Sequence, residues 1–178
     1  MKAKYMMCAI IREQKILELI EDVRLSMAQK IEFQQFTPTM APHITFVPPF
    51  FATYEDVKNI CGTFNFLLSR VEDVIFSSGD LNWMNFEEDV LHIPIKTYPG
   101  FIINIEHLRT RVAENFEYVS KIPNGVFYPH ITVAKGVSLK NLIGEHLNLL
   151  PRESFMSTFG QLKVFEKLPK GWVMVNDK

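Results

Sequence analysis

The tetrapeptide Pro-His-Ile-Thr occurs twice, at residues 42–45 and 129–132, and the chain around each copy follows the same order. Lys4 to Ile11 is a compact apolar run and reads as a buried strand. Glu13 to Gln29 places Ile16, Leu17, Leu19, Ile20, Val23 and Met27 near helical spacing, which predicts an amphipathic helix. A loop over Ile31 to Ala41 leads into a short strand, His43 to Val47, that Pro48 and Pro49 are expected to stop. Tyr54 to Ser69 returns to helical spacing, with Thr53 as its cap and Asp56 three residues on. Val71 to Ser77 reads as a strand and Gly79-Asp80 as a turn.

The second half repeats the series. Asp89 to Ile95 is a strand, and Pro99 to Phe116 a helix with proline suited to its first turn. Glu117 to Tyr128 is a loop, and Tyr128 to Ala134 is the second motif strand. Ser138 to Leu149 is a helix with Ser138 as cap, and Glu153 to Glu166 and Gly171 to Val175 supply the remaining strands. Tyr5 precedes His43 by 38 residues and Val90 precedes His130 by 40, as a duplicated lobe would leave them. The reading is one domain over 1–178, with approximate lobes 1–80 and 81–178 related by a two-fold axis.

Strand side chains alternate between faces. His43 and Thr45 therefore share one face, with Ile44 and Phe46 on the other. His130 and Thr132 share a face in the same way, opposite Ile131 and Val133. Five His and nine Thr in 178 residues would give roughly 0.25 His-x-Thr triplets by chance. Two such triplets in equivalent positions point to function rather than to two ordinary surface histidines. If the polar faces converge, the constellation suits attack on a phosphodiester. An in-line displacement needs a base on one side of phosphorus and an acid on the other, and histidine serves either role near neutrality. Threonine hydroxyls can donate to the non-bridging oxygens.

These residues carry a resemblance. The sequence is similar to the 2H phosphoesterase superfamily, which includes the 2′-5′ RNA ligases and cyclic nucleotide phosphodiesterases. Its hallmark is a pair of His-x-Thr/Ser-x-apolar motifs, met here by His43-Ile44-Thr45-Phe46 and His130-Ile131-Thr132-Val133, with Tyr128-Pro129 before the second. The resemblance implies an α+β, bilobal fold with antiparallel-rich sheets around a central cleft, and catalysis without metal or cofactor. Two positions depart from it. Lys135 stands where many members carry arginine, keeping the charge without the bidentate fork. Val47-Pro48-Pro49-Phe50 replaces an apolar-Gly turn.

His43, His130, Thr45 and Thr132 are thus the expected catalytic residues, and Tyr128, Trp83, Lys135 and Phe50 the expected substrate contacts. Among the aromatics, Phe51, Phe86 and Tyr98 are weaker candidates for stacking on a base, since aromatic side chains mostly pack cores. His92 alternates on a strand and is a candidate to face the cleft, with a structural or surface histidine the stronger reading, while His107 and His146 read as solvated helix residues. No motif has histidine or carboxylate neighbours at metal-ligand spacing.

Lys plus Arg number 19 against 20 Asp plus Glu, so no basic field favours duplex DNA. A nucleotide or short oligonucleotide remains the expected partner. The apolar N-terminal run is too short for a span and lacks a cleavage site, so a cytoplasmic monomer is expected, with Cys8 and Cys61 as reduced thiols. The competing readings are a nucleotide- or RNA-end-binding module without turnover, and a viral or phage enzyme that degrades an immune nucleotide signal.

Overall fold

The computed structural model describes residues 1–28, 40–85, 88–119, 127–140 and 155–175. The elements run β1 (Ala3–Ile10), α1 (Gln14–Ala28), β2 (His43–Ala52), α2 (Tyr54–Thr63), α3 (Asn65–Leu68), β3 (Ile75–Ser78), β4 (Asn82–Asn85) and β5 (Asp89–Lys96). They continue with α4 (Pro99–Asn115), β6 (Glu117–Tyr118), β7 (His130–Gly136), β8 (Met156–Thr158), β9 (Leu162–Leu168) and β10 (Gly171–Met174). This is an α+β fold whose strand pairings among the described residues are all antiparallel.

The local expectations for the helices largely hold. Thr53 forms a reciprocal capping box with Asp56 at the start of α2, and Pro99 sits in the first turn of α4. The helix expected over 54–69 breaks at Phe64, whose backbone leaves the helical region and divides α2 from α3. Val71–Asp73 forms a 3-10 turn, so β3 starts later than the β-branched run implies. Ser138, with a φ of 59°, directly precedes the helical residues 139–140. The Lys140 backbone N–H donates to the Asp89 carboxylate at 2.9 Å. The remainder of that expected helix, residues 141–149, lies outside the described residues, as do 31–39 of the first loop.

One sheet runs through both halves, in the order β10-β9-β1-β2-β7-β5-β3-β8, with β4 on β5 and β6 on β2. The two motif strands are neighbours at its centre, paired at Ile44 and Ile131. The spatial division does not follow the midpoint of the sequence. β3 pairs with β5 on the far side, and β9 returns to pair with β1 on the near side. The helices cross over as well. Residues of α1 share a core with Ile131 and Val133 of β7, while Leu108 and Val112 of α4 share one with Tyr5, Met7, Val47 and Phe50. The Arg24 side chain donates to the Val133 carbonyl across that junction at 3.2 Å. Each half's long helix thus buries apolar surface of the other half's strands, and this holds the halves together.

β2 passes straight through Pro48 and Pro49, where the sequence reading ends it. The reason is a pair of register shifts against β1, which give the prolines, with no N–H to donate, places outside the regular ladder. At the other end, Gly79 is demanded by contact. Its N–H donates to the Pro94 carbonyl at 2.7 Å, and a Cβ there would meet the Pro94 ring at 2.9 Å. This pins the stretch of β5 that faces the second motif. No helix among the described residues is long and apolar enough to cross a membrane.

Candidate active site

The register at the sheet centre assembles the site. With Ile44 opposite Ile131 in an antiparallel pair, the next positions place His43 across from Thr132 and Thr45 across from His130. Opposed residues in such a pair have Cβ atoms about 4.5–5.5 Å apart. Ile44 and Ile131 point into the helix-covered core and are fully buried. The two histidines and two threonines share the opposite face, and each is half-buried.

The prolines of the motif acquire a purpose here. The Pro42 carbonyl accepts from the Ile11 N–H and the Pro129 carbonyl from the Ile95 N–H, both at 2.9 Å. The residue before each proline presents its carbonyl to the imidazole. His43 Nδ1 lies 2.8 Å from the Ala41 oxygen and His130 Nδ1 2.9 Å from the Tyr128 oxygen. A carbonyl only accepts, so Nδ1 carries the proton in both rings, and Nε2 is left free to take or give one. The geometry is the same in the two motifs, as a two-fold relation requires.

Burial lowers the His43 pKa below its ordinary 6.5, partly offset by the bond to Ala41. Burial also lowers that of His130, against the opposing bond to Tyr128, and the charges of His43 and Arg109 lower it further.

A β-bulge explains the fate of Lys135. Strict alternation from His130 would send a residue five positions on to the core face. Leu91 pairs with Ala134 but His92 with Thr132, so Val133 is an extra residue and both Val133 and Ala134 are buried. Lys135 returns to the open face, where its Nζ lies 2.9 Å from Glu88. β2 repeats the device at the same offset, with Phe46 as the extra residue between Thr45 and Val47.

Of the expected substrate contacts, Tyr128 is brought to the site. It is 51% exposed and its ring stacks beside that of His130, with centroids 6.4 Å apart and planes at 28°. Phe50 and Trp83 are corrected. Phe50 is fully buried against Tyr5, Phe116 and Tyr118, because β2 continues past the prolines and its two shifts cancel, leaving Phe50 on the same side as Ile44. Trp83 lies opposite the buried Leu91 and packs on the main core, so it sits on the helix side of the sheet. Phe51 lies under the Lys4 ammonium and Tyr98 against Phe101, while Phe86 and His146 fall outside the described residues. His107 is exposed on α4.

The structure brings two further residues to the site, Cys8, which the sequence gives no sign of, and His92, the weaker cleft candidate. Cys8, opposite Thr45, is fully buried, and its thiol donates to Thr45 Oγ1 at 3.9 Å. Burial pushes that thiol up to about 12, and neither it nor Cys61 is in a disulfide. His92, opposite Thr132, is 1% exposed and meets the rings of His130 and Tyr128 edge to face at 5.5 and 5.8 Å. Burial, reinforced by the charge of His130, lowers the His92 pKa from 6.5 to about 4. Between those values the unfolded chain binds a proton that the folded chain refuses. The contribution is therefore fully present above pH 6.5 and is lost as pH falls toward about 4. Denaturant titrations across that window should show stability declining with acid, and a His92→Phe chain should show a shallower decline. An equally steep decline in the variant would refute the assignment. No group of three or more His, Cys, Asp or Glu residues able to hold a metal is found among the described residues.

No family model matches the sequence, and no curated protein matches it. Solved structures do match, over nearly the full length. A phosphoesterase aligns at a TM-score of 0.59 and 15% identity, over 99% of this chain and 97% of its own. Escherichia coli LigT complexed with 3′-AMP aligns at 0.62 and 16%, over 99% and 97%. Kluyveromyces marxianus Usb1 with uridine monophosphate aligns at 0.56 and 11%, over 98% of each chain. Identities this low speak to architecture alone, and the shared architecture is a mixed helix and antiparallel-sheet fold that places two strands side by side at its centre. The chain therefore has the 2H phosphoesterase fold.

Proposed function

We propose that the protein is a metal-independent phosphodiesterase acting on a nucleotide phosphodiester: a 2′,3′-cyclic phosphate, a 2′-5′ linkage or a small cyclic oligonucleotide. One observation carries the reading. His43 and His130 stand on adjacent central strands with Nδ1 of each held by a carbonyl, each diagonal to the other and opposite a threonine. Nε2 of one ring takes a proton from the attacking water. As the new P–O bond forms, Nε2 of the other, as imidazolium, gives its proton to the leaving oxygen and the old P–O bond breaks. The Thr45 and Thr132 hydroxyls donate to the non-bridging oxygens, where charge accumulates. Tyr128 offers an exposed ring for a base, and Lys135 a cation at the same face. Complexes of the similar structures with 3′-AMP and uridine monophosphate fit a nucleotide ligand.

The test is product formation from a panel of 2′,3′-cyclic, linear 2′-5′, linear 3′-5′ and cyclic-oligonucleotide substrates, with and without chelator. Cleavage of one class, unchanged by chelator, is the expected result. Binding without product from any class would favour a binding module and end the enzymatic reading.

The pH profile follows from the site. Catalysis needs one imidazole protonated and the other not, and both are depressed below 6.5 in the free protein. The profile of kcat/KM is therefore a bell centred on the acid side of 6.5. A bound phosphate anion favours the imidazolium, so the bell for kcat lies at higher pH. Coincident bells, or one centred well above neutrality, would contradict this assignment of the base and acid.

A further inference from the structure

Cys8 and His92 hold equivalent places in the sheet. Each lies on the strand that flanks a motif strand, directly opposite the motif threonine. On the first side the buried thiol donates to Thr45 Oγ1, so the hydroxyl proton of Thr45 is directed elsewhere. On the second side the matching contact is not made. Both ring nitrogens of His92 are buried and face backbone groups of Val90 and Asn82 without reaching good hydrogen-bond geometry, and Thr132 makes no side-chain hydrogen bond among the described residues. Buried polar groups nearly always have a partner, so a poorly paired one beside a functional group calls for an explanation. A neutral imidazole carries one donor and one acceptor. His92 is also oriented, since its ring meets those of both His130 and Tyr128 edge to face.

We propose that His92 is a positioning residue for Thr132. When a phosphate lies between His43 and His130, the His92 N–H donates to Thr132 Oγ1 and turns the threonine proton onto a non-bridging oxygen, as Cys8 does for Thr45. Cross-strand neighbours lie close enough for one rotamer change to make the bond. The assignment rests on the phosphodiesterase reading and adds a third histidine that does not exchange protons with substrate. A site that leaves a buried ring poorly paired until its ligand arrives gives up folded-state stability for function.

The experiment compares His92→Phe and His92→Gln in the full chain, using the phosphodiester that the wild-type chain cleaves fastest in the panel above. Phenylalanine keeps the ring contacts and removes both poorly paired nitrogens. It is expected to lower kcat by about 10-fold or more, short of the loss from deleting a transition-state donor outright. KM should move little, and the melting temperature should stay level or rise. Glutamine, which can donate, should recover part of kcat. In a Thr132→Val background, His92→Phe should have no further effect, because the two residues act as one unit. Wild-type kcat in His92→Phe overturns the proposal. So does a loss of kcat that persists undiminished in the Thr132→Val background, or one that simply follows a fall in melting temperature. Failure of the parent reading looks different: turnover would then survive replacement of His43 or His130.

Discussion

Replacing either His43 or His130 with alanine is expected to lower kcat by about 10²–10⁴-fold while leaving the melting temperature near that of the wild type. The activity loss follows from the shared role. A proton must leave the nucleophile and another must reach the leaving group, and among the described residues no other titratable side chain is placed to do either. His92 is the nearest alternative, but burial holds it neutral and its nitrogens are shielded. The small effect on stability follows from position. Both histidines are only half-buried, and each makes one side-chain hydrogen bond, to a carbonyl two residues back. Loss of one such bond is worth about 1 kcal/mol. The double variant should be little slower than either single one, since removal of the acid or the base already stops the concerted step. Steady-state kinetics beside a thermal melt makes the comparison. Undiminished turnover in the double variant would remove these residues from the chemistry.

Phe46→Ala should destabilise the fold by about 3–5 kcal/mol, the usual cost of truncating a buried aromatic to alanine. Phe46 follows Thr45 on β2 and is fully buried. Its ring meets Phe101 of α4 at 5.7 Å, Phe127 at 5.8 Å and Phe159 at 5.4 Å, each edge to face. Those three rings come from the second-half helix, the approach to the second motif and the turn between β8 and β9. The cavity would therefore open where the two halves join. For a domain with about 5–15 kcal/mol in total, the loss is a large share of its stability. Phe46→Leu retains most of the volume and should cost distinctly less. Denaturant unfolding of the pair measures both. A Phe46→Ala penalty under about 1 kcal/mol would mean that the site collapses freely and that this ring cluster does not tie the halves together.

The second prediction also bears on the first. Phe127 immediately precedes Tyr128, whose carbonyl holds His130 Nδ1, and its own N–H donates to Glu106 at 2.9 Å. Loosening the Phe46 cluster should disturb the His130 ring before the fold is lost. Phe46→Ala should accordingly lose turnover at temperatures below its melting transition.

Some of this molecule is written in residue order because the physics is local. The side-chain alternation of Pro-His-Ile-Thr puts His and Thr on one face and Ile on the other wherever the strand is placed, and both copies behave so. The Thr53–Asp56 box and Pro99 mark helix starts by bonds that span three residues or fewer. The pairing of strands across the chain is a different matter. Nothing between residues 42 and 49 says that β2 will lie against β7, or that α1 and α4 will exchange partners. Those choices maximise burial for the chain as a whole. The two shifts in β2 and the bulge at Val133 have no signature of their own, yet they carry β2 through two prolines, keep Phe50 on the core side and return Lys135 to the open face. Trp83 and Phe50 are both aromatic candidates from order alone; the continuation of β2 buries Phe50, and the pairing of Trp83 with Leu91 packs it, partly buried, against the core.

Residue order therefore settles the kind of chemistry, because two identical strands must each offer an imidazole and a hydroxyl side by side. The folded sheet settles which groups meet: His43 opposite Thr132, Thr45 opposite His130, and behind the threonines a buried thiol on one side and a buried imidazole on the other. A pleat repeats every two residues and can be read locally. Register is a long-range property, decided by which apolar faces the whole chain buries together.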